Sequence, residues 1–216
     1  IASVAYYEKN IETLKRVYNF NPHVIAYDKH PRYESTKIAQ QILKNDSKLK
    51  AHEVQHHYAH ILAVMAEQHI QGKVFGIAFD GTGYGGDGNL WGGEFIICDY
   101  EGYERIAHLE YFKLLGGAKA IKEPRRVALS FLFSLYGKDV LDIDNPTTNA
   151  FSQAELRTYY TAWEKGLNTP LSSSIGRLFD SIASLLGICQ VMSFEGESGM
   201  MLEELFDSSV NGYYSF

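Results

Sequence analysis

The chain has 216 residues, 45% hydrophobic, 21% charged and 13% aromatic. These proportions exclude a disordered polypeptide and suit one sizeable core or two small lobes. A net charge of −6 counts against a nucleic-acid partner, which calls for a broad basic face. The cysteines Cys98 and Cys189 form no CxxC pair, the start is no signal peptide, and no apolar run nears the roughly 18 residues of a membrane span, so a soluble cytoplasmic protein is expected.

In chain order, the spacing of Ile11, Leu14, Val17 and Tyr18 predicts a helix over 10–19 capped by Asn10. HVIAYDKH (23–30) reads as a short buried strand, Pro31 breaks it, and YESTKIAQQILK (33–44) is the next helix. HEVQ (52–55) is an extended lead into a helix from about His57 to His69, with Ile61, Leu62, Met65 and Ala66 inward. Residues 73–80, 94–100 and 103–111 are strand-like. Beyond about residue 120 the pattern turns helical, at 125–137, 154–166, 172–187 and again at EGESGMMLEELF (195–206). DIDNPTTN, around Pro146, reads as the clearest linker. The chain has no initiator Met and stops soon after its last helix, as a piece of something longer would. Strands alternating with helices, then a strand meander, predict a mixed α/β sheet domain with a helical insertion.

Seven glycines lie between Gly81 and Gly93. Gly81 to Gly86 matches GxGxxG, but a strand-like segment follows it instead of the helix that would hold a pyrophosphate, so the dinucleotide-binding reading fails. A strand–glycine-loop–strand hairpin remains, whose bare amides can nest phosphate oxygens, with Asp80 at the strand end. Three of the eight histidines fall within QHHYAH (55–60). His56 and His60 share a helix face, and with Asp80 they form a two-imidazole, one-carboxylate set suited to Zn²⁺ or Fe²⁺. His57 is rotated about 100° from His56 and is expected to point elsewhere. HExxH is absent, which disfavours a zincin protease.

In SSSIGRLFDSIASLLG (172–187), Ile175, Leu178, Phe179, Ile182 and Leu186 form an apolar face, with Gly176, Asp180 and Ser184 beside it. A bare glycine followed by a carboxylate suits a ribose, although spacing alone favours a solvated polar face. The basic run KAIKEPRR (119–126) could meet phosphate or be a solvated loop.

Taken in order, QHHYAH, GIAFDGTGYGGDGNLWGGEF, KEPRRVALS and SSSIGRLFDSIASLLG resemble the carbamoyltransferase domain of the HypF family, the [NiFe]-hydrogenase maturation carbamoyltransferases, over essentially the whole chain. The DGTGYG and WGGE pieces are specific to that family. Its relatives, the tRNA threonylcarbamoyl-adenosine synthases and the antibiotic O-carbamoyltransferases, share the HxxxH pair but not this run. The resemblance implies an incomplete α/β fold of the actin, sugar-kinase and heat-shock ATPase (ribonuclease H-like) type with a helical insertion. Residues 1–118 would form the first lobe, and 119–216 a mostly helical part leading into the second. It implies an enzyme that makes carbamoyladenylate from carbamoyl phosphate and ATP and passes the carbamoyl group to the C-terminal cysteine of a HypE-type partner. By motif match, His56, His60 and Asp80 would bind a divalent metal, Fe²⁺ or Zn²⁺. Gly81, Thr82 and Gly83 would lie against phosphate or carbamoyl, and Gly176 and Asp180 against the adenosine ribose. Arg125 departs from the family pattern, where a Trp is expected. Acylphosphatase-like, zinc-finger and carbamoyladenylate-forming domains and a first phosphate hairpin would precede residue 1, and a second phosphate loop with a further Asp ligand would follow residue 216.

Two other readings compete. A tRNA-modifying enzyme of the same fold is opposed by the acidic balance and by the DGTGYG and WGGE run. A non-catalytic nucleotide-binding module would have no reason to keep His56, His60 and Asp80 together.

Overall fold

The computed structural model describes residues 2–210 and 212. Its first helix, α1 (Ala2–Tyr18), begins eight residues before the predicted cap. AYYEK carries no glycine or proline to stop a helix, so Asn10 lies within α1 rather than at its start. Strand β1 (Val24–Asp28) pairs in parallel with β2 (Lys50–Val54), joined by the crossover helix α2 (Glu34–Asn45). The expected burial of β1 is not seen. Ile25, Tyr27 and Asp28 are only half-buried, and Val24 and Ala26 are exposed, because α2 covers one face of a sheet just two strands wide.

Helix α3 (His56–Glu67) packs on the larger sheet through His57, Ile61 and Met65, a row at i, i+4 and i+8. Tyr58, Ile61 and Met65 meet Ala78, Ile96 and Cys98 in one apolar cluster. Leu62 is half-buried and Ala66 exposed, so the inward row is turned from the one predicted. The sheet comprises β3 (Val74–Tyr84), β4 (Leu90–Cys98), β5 (Tyr103–His108), β6 (Phe112–Lys113) and β7 (Leu171–Ser172), in the order β3-β4-β7-β6, with β5 also on β4. The glycine loop proves shorter than its composition suggests, because β3 runs on to Tyr84. Phe79 pairs with Gly93 and Gly83 with Trp91, so Asp80, Gly81 and Thr82 form a bulge within the strand. Such bulges re-aim side chains out of the ladder.

The helical part comprises α4 (Pro124–Tyr136), α5 (Pro146–Asn149), α6 (Gln153–Glu164), α7 (Ile175–Leu185) and α8 (Glu197–Glu203). Proline at N1 starts α4, and a reciprocal Ser152–Glu155 capping box starts α6. Leu129, Leu132, Phe133, Val140, Phe151 and Leu156 make its core. DIDNPTTN is no linker. Asn145 caps α5, Thr147 and Thr148 are buried, and the Thr147 hydroxyl meets Ser184 on α7 at 2.8 Å.

Helix α7 lies the other way round from its amphipathic pattern. Arg177, Asp180, Ser181 and Ser184 are buried, whereas Phe179, Ile182 and Leu186 are exposed. Most of the buried polar groups find partners: Ser184 bonds Thr147 and Gln190, and Asp180 accepts from Ser198 and faces Arg177. The basic run is likewise turned inward at its end. Arg126 is buried and bonds Glu123 and Tyr159. Arg125 pairs with Glu123, donates to the Ala150 carbonyl at 2.6 Å and lies over the Phe151 ring. The residue standing where Trp was expected therefore ties α4 to the turn before α6.

Candidate metal centre and adjoining cleft

His56 and His60 occupy the first turns of α3. Gln55 caps the helix by accepting from the Tyr58 amide at 2.8 Å. The Gln55 amide nitrogen lies 3.2 Å from both the Tyr84 carbonyl and His57 Nδ1, joining the start of α3 to the end of β3. Across this joint stands Asp80, lifted out by the bulge. His56 Nε2 is 3.1 Å from Asp80 Oδ2 and 3.2 Å from His60 Nε2, and His60 Nε2 is 3.9 Å from the same carboxylate oxygen. For ligands about 2.0–2.1 Å from a tetrahedral ion, the ligand–ligand spacing is about 3.4 Å. The three separations bracket that value. Asp80 Oδ2 has no hydrogen-bond partner although it is enclosed, and two imidazole nitrogens face each other, which only one proton can bridge. This donor set fits a divalent cation.

Asp28, at the end of β1, lies 2.8 Å from His56 Nδ1 and is the residue that sequence reasoning passed over. A proton on Nδ1 donated to Asp28 leaves the Nε2 lone pair for an ion, the carboxylate–histidine–metal arrangement. Its only sequence signal is its place at a strand end. Asp28→Ala is expected to weaken divalent-metal affinity about 10- to 100-fold while leaving the fold intact, measured by competition with a chromophoric chelator.

His57 does not point elsewhere. It is fully buried, and its Nε2 lies 3.6 Å from Asp80 Oδ2. The Gln55 amide can only donate, so Nδ1 accepts and Nε2 carries the proton toward Asp80. Burial pulls His57 down to about 4, keeping it neutral. His56 behaves oppositely. The Asp80 carboxylate 3.1 Å away outweighs burial and, with Asp28, pushes it up to about 9, while the same contact holds Asp80 at about 2. The pocket therefore favours a positive charge between two carboxylates.

Of the loop residues, Gly83 backs the histidines. A Cβ there would stand 2.4 Å from His57 Cε1 and 2.9 Å from His56 Cδ2. The Thr82 hydroxyl bonds the Gly81 carbonyl. Gly81 opens onto a cleft of about 250 Å³ with Gly176, Arg177, Asp180, Glu195 and Ser198 along it. Gly176 is required by close approach, since a Cβ would lie 2.9 Å from Gly81 Cα. Ser174 holds the two together: it caps α7, and its hydroxyl lies 2.9 and 2.7 Å from the Asp80 and Gly81 carbonyls. Asp180 is buried, and burial raises its carboxyl against the opposing pull of Arg177. The structure thus puts His56, His60 and Asp80 together, and Gly81, Gly176 and Asp180 around the adjoining cleft. Among the described residues no helix is long and apolar enough to cross a membrane.

The chain as a whole is similar to known proteins. A family profile described as "Carbamoyltransferase, Kae1-like Domain, second subdomain" matches residues 76–216, and one described as "HypF Kae1-like domain" matches residues 1–67. The carbamoyltransferase HypF of Synechocystis sp. is 40% identical over 223 residues, covering 96% of this chain and 28% of the relative. The probable carbamoyltransferase HypF of Methanocaldococcus jannaschii is 37% identical over 199 residues, covering 92% of this chain and 26% of the relative. The solved structure of full-length HypF in its phosphate- and nucleotide-bound form superposes with a TM-score of 0.85 at 41% identity, over 98% of this chain and 32% of that one. T. kodakarensis HypF gives 0.74 at 40% identity, over 83% and 24%. The chain thus spans about a quarter to a third of the length of these relatives. The predicted mixed α/β fold of the actin and sugar-kinase type stands, in its Kae1-like form, and the chain belongs to the HypF carbamoyltransferase family.

Proposed function

We propose that this chain carries the acyl-transfer centre of a carbamoyltransferase. In this reading carbamoyl phosphate and ATP yield carbamoyladenylate with release of phosphate and pyrophosphate, and the carbamoyl group passes to the C-terminal cysteine of a HypE-type partner during [NiFe]-hydrogenase maturation. The observation that carries it is the convergence of His56 Nε2, His60 Nε2 and Asp80 Oδ2 one residue from the glycine-walled cleft. His56, His60 and Asp80 hold Fe²⁺ or Zn²⁺, which when bound supplies a Lewis acid that polarises the acyl oxygen. Asp28 and His57 hold His56 and Asp80 in place. Gly81, Thr82 and Gly83 run along the phosphate and carbamoyl group, and Gly176 and Asp180 form the ribose end. The acceptor cysteine, its proton given to solvent, attacks the carbamoyl carbon as the thiolate, the C–S bond forms as the carbamoyl C–O bond breaks, and AMP leaves as the phosphate anion. The setting is the cytoplasm, where Cys98 and Cys189 remain free thiols.

The test supplies radiolabelled carbamoyladenylate, the HypE-type partner and tRNA to the metal-loaded chain. Label is expected on the partner's terminal cysteine. The His56→Ala/His60→Ala chain is expected to be slower on the order of 10³-fold, since removing a Lewis acid forfeits several kcal/mol. Transfer at an unchanged rate by the double variant, or label that reaches tRNA instead, overturns the reading.

A further inference from the structure

We infer that Arg177 is the residue that reads the nucleotide phosphate in the cleft beside Asp80, through its guanidinium nitrogen Nη2. The inference rests on the reading of that cleft as the nucleotide site.

Arg177 is 3% exposed, deep burial for a permanent cation. Only one arm of its guanidinium is used by the protein. Nη1 donates to the Ile121 carbonyl at 3.0 Å and lies 2.8 Å from Asp180 Oδ2. Nε is enclosed and has no partner. Nη2 makes no hydrogen bond among the described residues and faces Gly81, where a Cβ would stand 3.5 Å from it. A purely structural arginine bridging Ile121 to α7 would need Nη1 alone. Here Asp180 neutralises the inner side, while a donor is kept pointing into a cleft whose wall has no side chain at Gly81 or Gly176. Arg177 also lies in the first turn of α7, where the backbone adds positive potential. Besides Asp180, the acidic group on the cleft is Glu195, whose Oε1 lies 4.0 Å from the same Gly81 Cβ position. It is exposed and can turn to solvent when an anion enters.

The test is calorimetric binding of AMP and of adenosine to the 216-residue chain. AMP is expected to bind about 10- to 100-fold tighter than adenosine, the worth of one charge-assisted hydrogen bond. Arg177→Gln is expected to bring that ratio to about one with adenosine affinity unchanged. Because Arg177→Gln also removes the buried bond to Ile121, Gly81→Ala is the second variant. Its methyl fits at ordinary contact distance and stands in front of Nη2, so it is expected to keep the wild-type melting temperature and lose the ratio. A wild-type chain that binds AMP no tighter than adenosine, or a Gly81→Ala chain that keeps the ratio, overturns the inference. Carbamoyl transfer is scored separately. Transfer with a ratio that no variant alters removes Arg177's role alone, and an AMP preference lost in Gly81→Ala without transfer leaves the phosphate contact and removes the transfer reading.

Discussion

Replacing His56 and His60 together by alanine is expected to abolish divalent-metal binding in a chain that still folds. The wild type is expected to take up one equivalent of Fe²⁺ or Zn²⁺, read by titration and by metal analysis after gel filtration. The substitution removes two of the three convergent ligand atoms and leaves Asp80 alone, which in water holds neither ion tightly. Folding is expected to survive, because the His60 side chain is 58% exposed and the His56 side chain 27% exposed, whereas the buried packing of α3 rests on His57, Ile61 and Met65. A variant that retains a full equivalent would remove the site. Unchanged far-ultraviolet dichroism and melting separate loss of a ligand set from loss of the fold.

The largest effect on stability is expected at Glu94, inside the WGGE run. This carboxylate is fully buried and four donors converge on it. Oε1 accepts from the Gly92 and Gly93 amides at 2.9 and 3.0 Å and from the Ser173 hydroxyl at 2.5 Å, and Oε2 accepts from Arg105 Nε at 2.5 Å. It joins β4 to β5 and to the segment leading into α7. Glu94→Gln breaks a buried ion pair and leaves Arg105 only its longer contact with Asp87, at 3.4 Å, a loss of about 3 kcal/mol or more. In a chain of this size that lowers the melting temperature by roughly 10 °C. Burial alone would raise the Glu94 carboxyl, but Ser173, Arg105 and the two amides outweigh it and hold it below the usual range. A carboxyl depressed in the folded state contributes stability that is full above the unfolded value, about 4.3, and is lost as pH falls through the folded value. Wild type is therefore expected to lose more stability than Glu94→Gln on acidification below pH 5. Equal melting of the two chains at pH 7 would show that the charge contributes nothing.

Most element types follow from local pattern alone. The four-residue spacing of His56 and His60 puts them on one helix face because an α-helix turns every 3.6 residues, and Asp80 reads as a strand-end residue because KVFGIAFD runs apolar up to it. Three site residues could be named for that reason. Orientation was decided in three dimensions. His57 points at Asp80, against its helical-wheel position, because the strand bulge brings Asp80 between the two histidines. Asp28 enters only because β1 pairs in parallel with β2, which ends directly before α3. Helix α7 shows the limit of periodicity most clearly. Its spacing reports two faces, but which one turns inward depends on partners far along the chain. Thr147 lies 37 residues from Ser184 and Ser198 lies 18 from Asp180, and both satisfy polar groups that would otherwise have to face water. Local sequence sets the period of an element, while burial of its polar side requires hydrogen-bond partners that only the folded chain brings within reach.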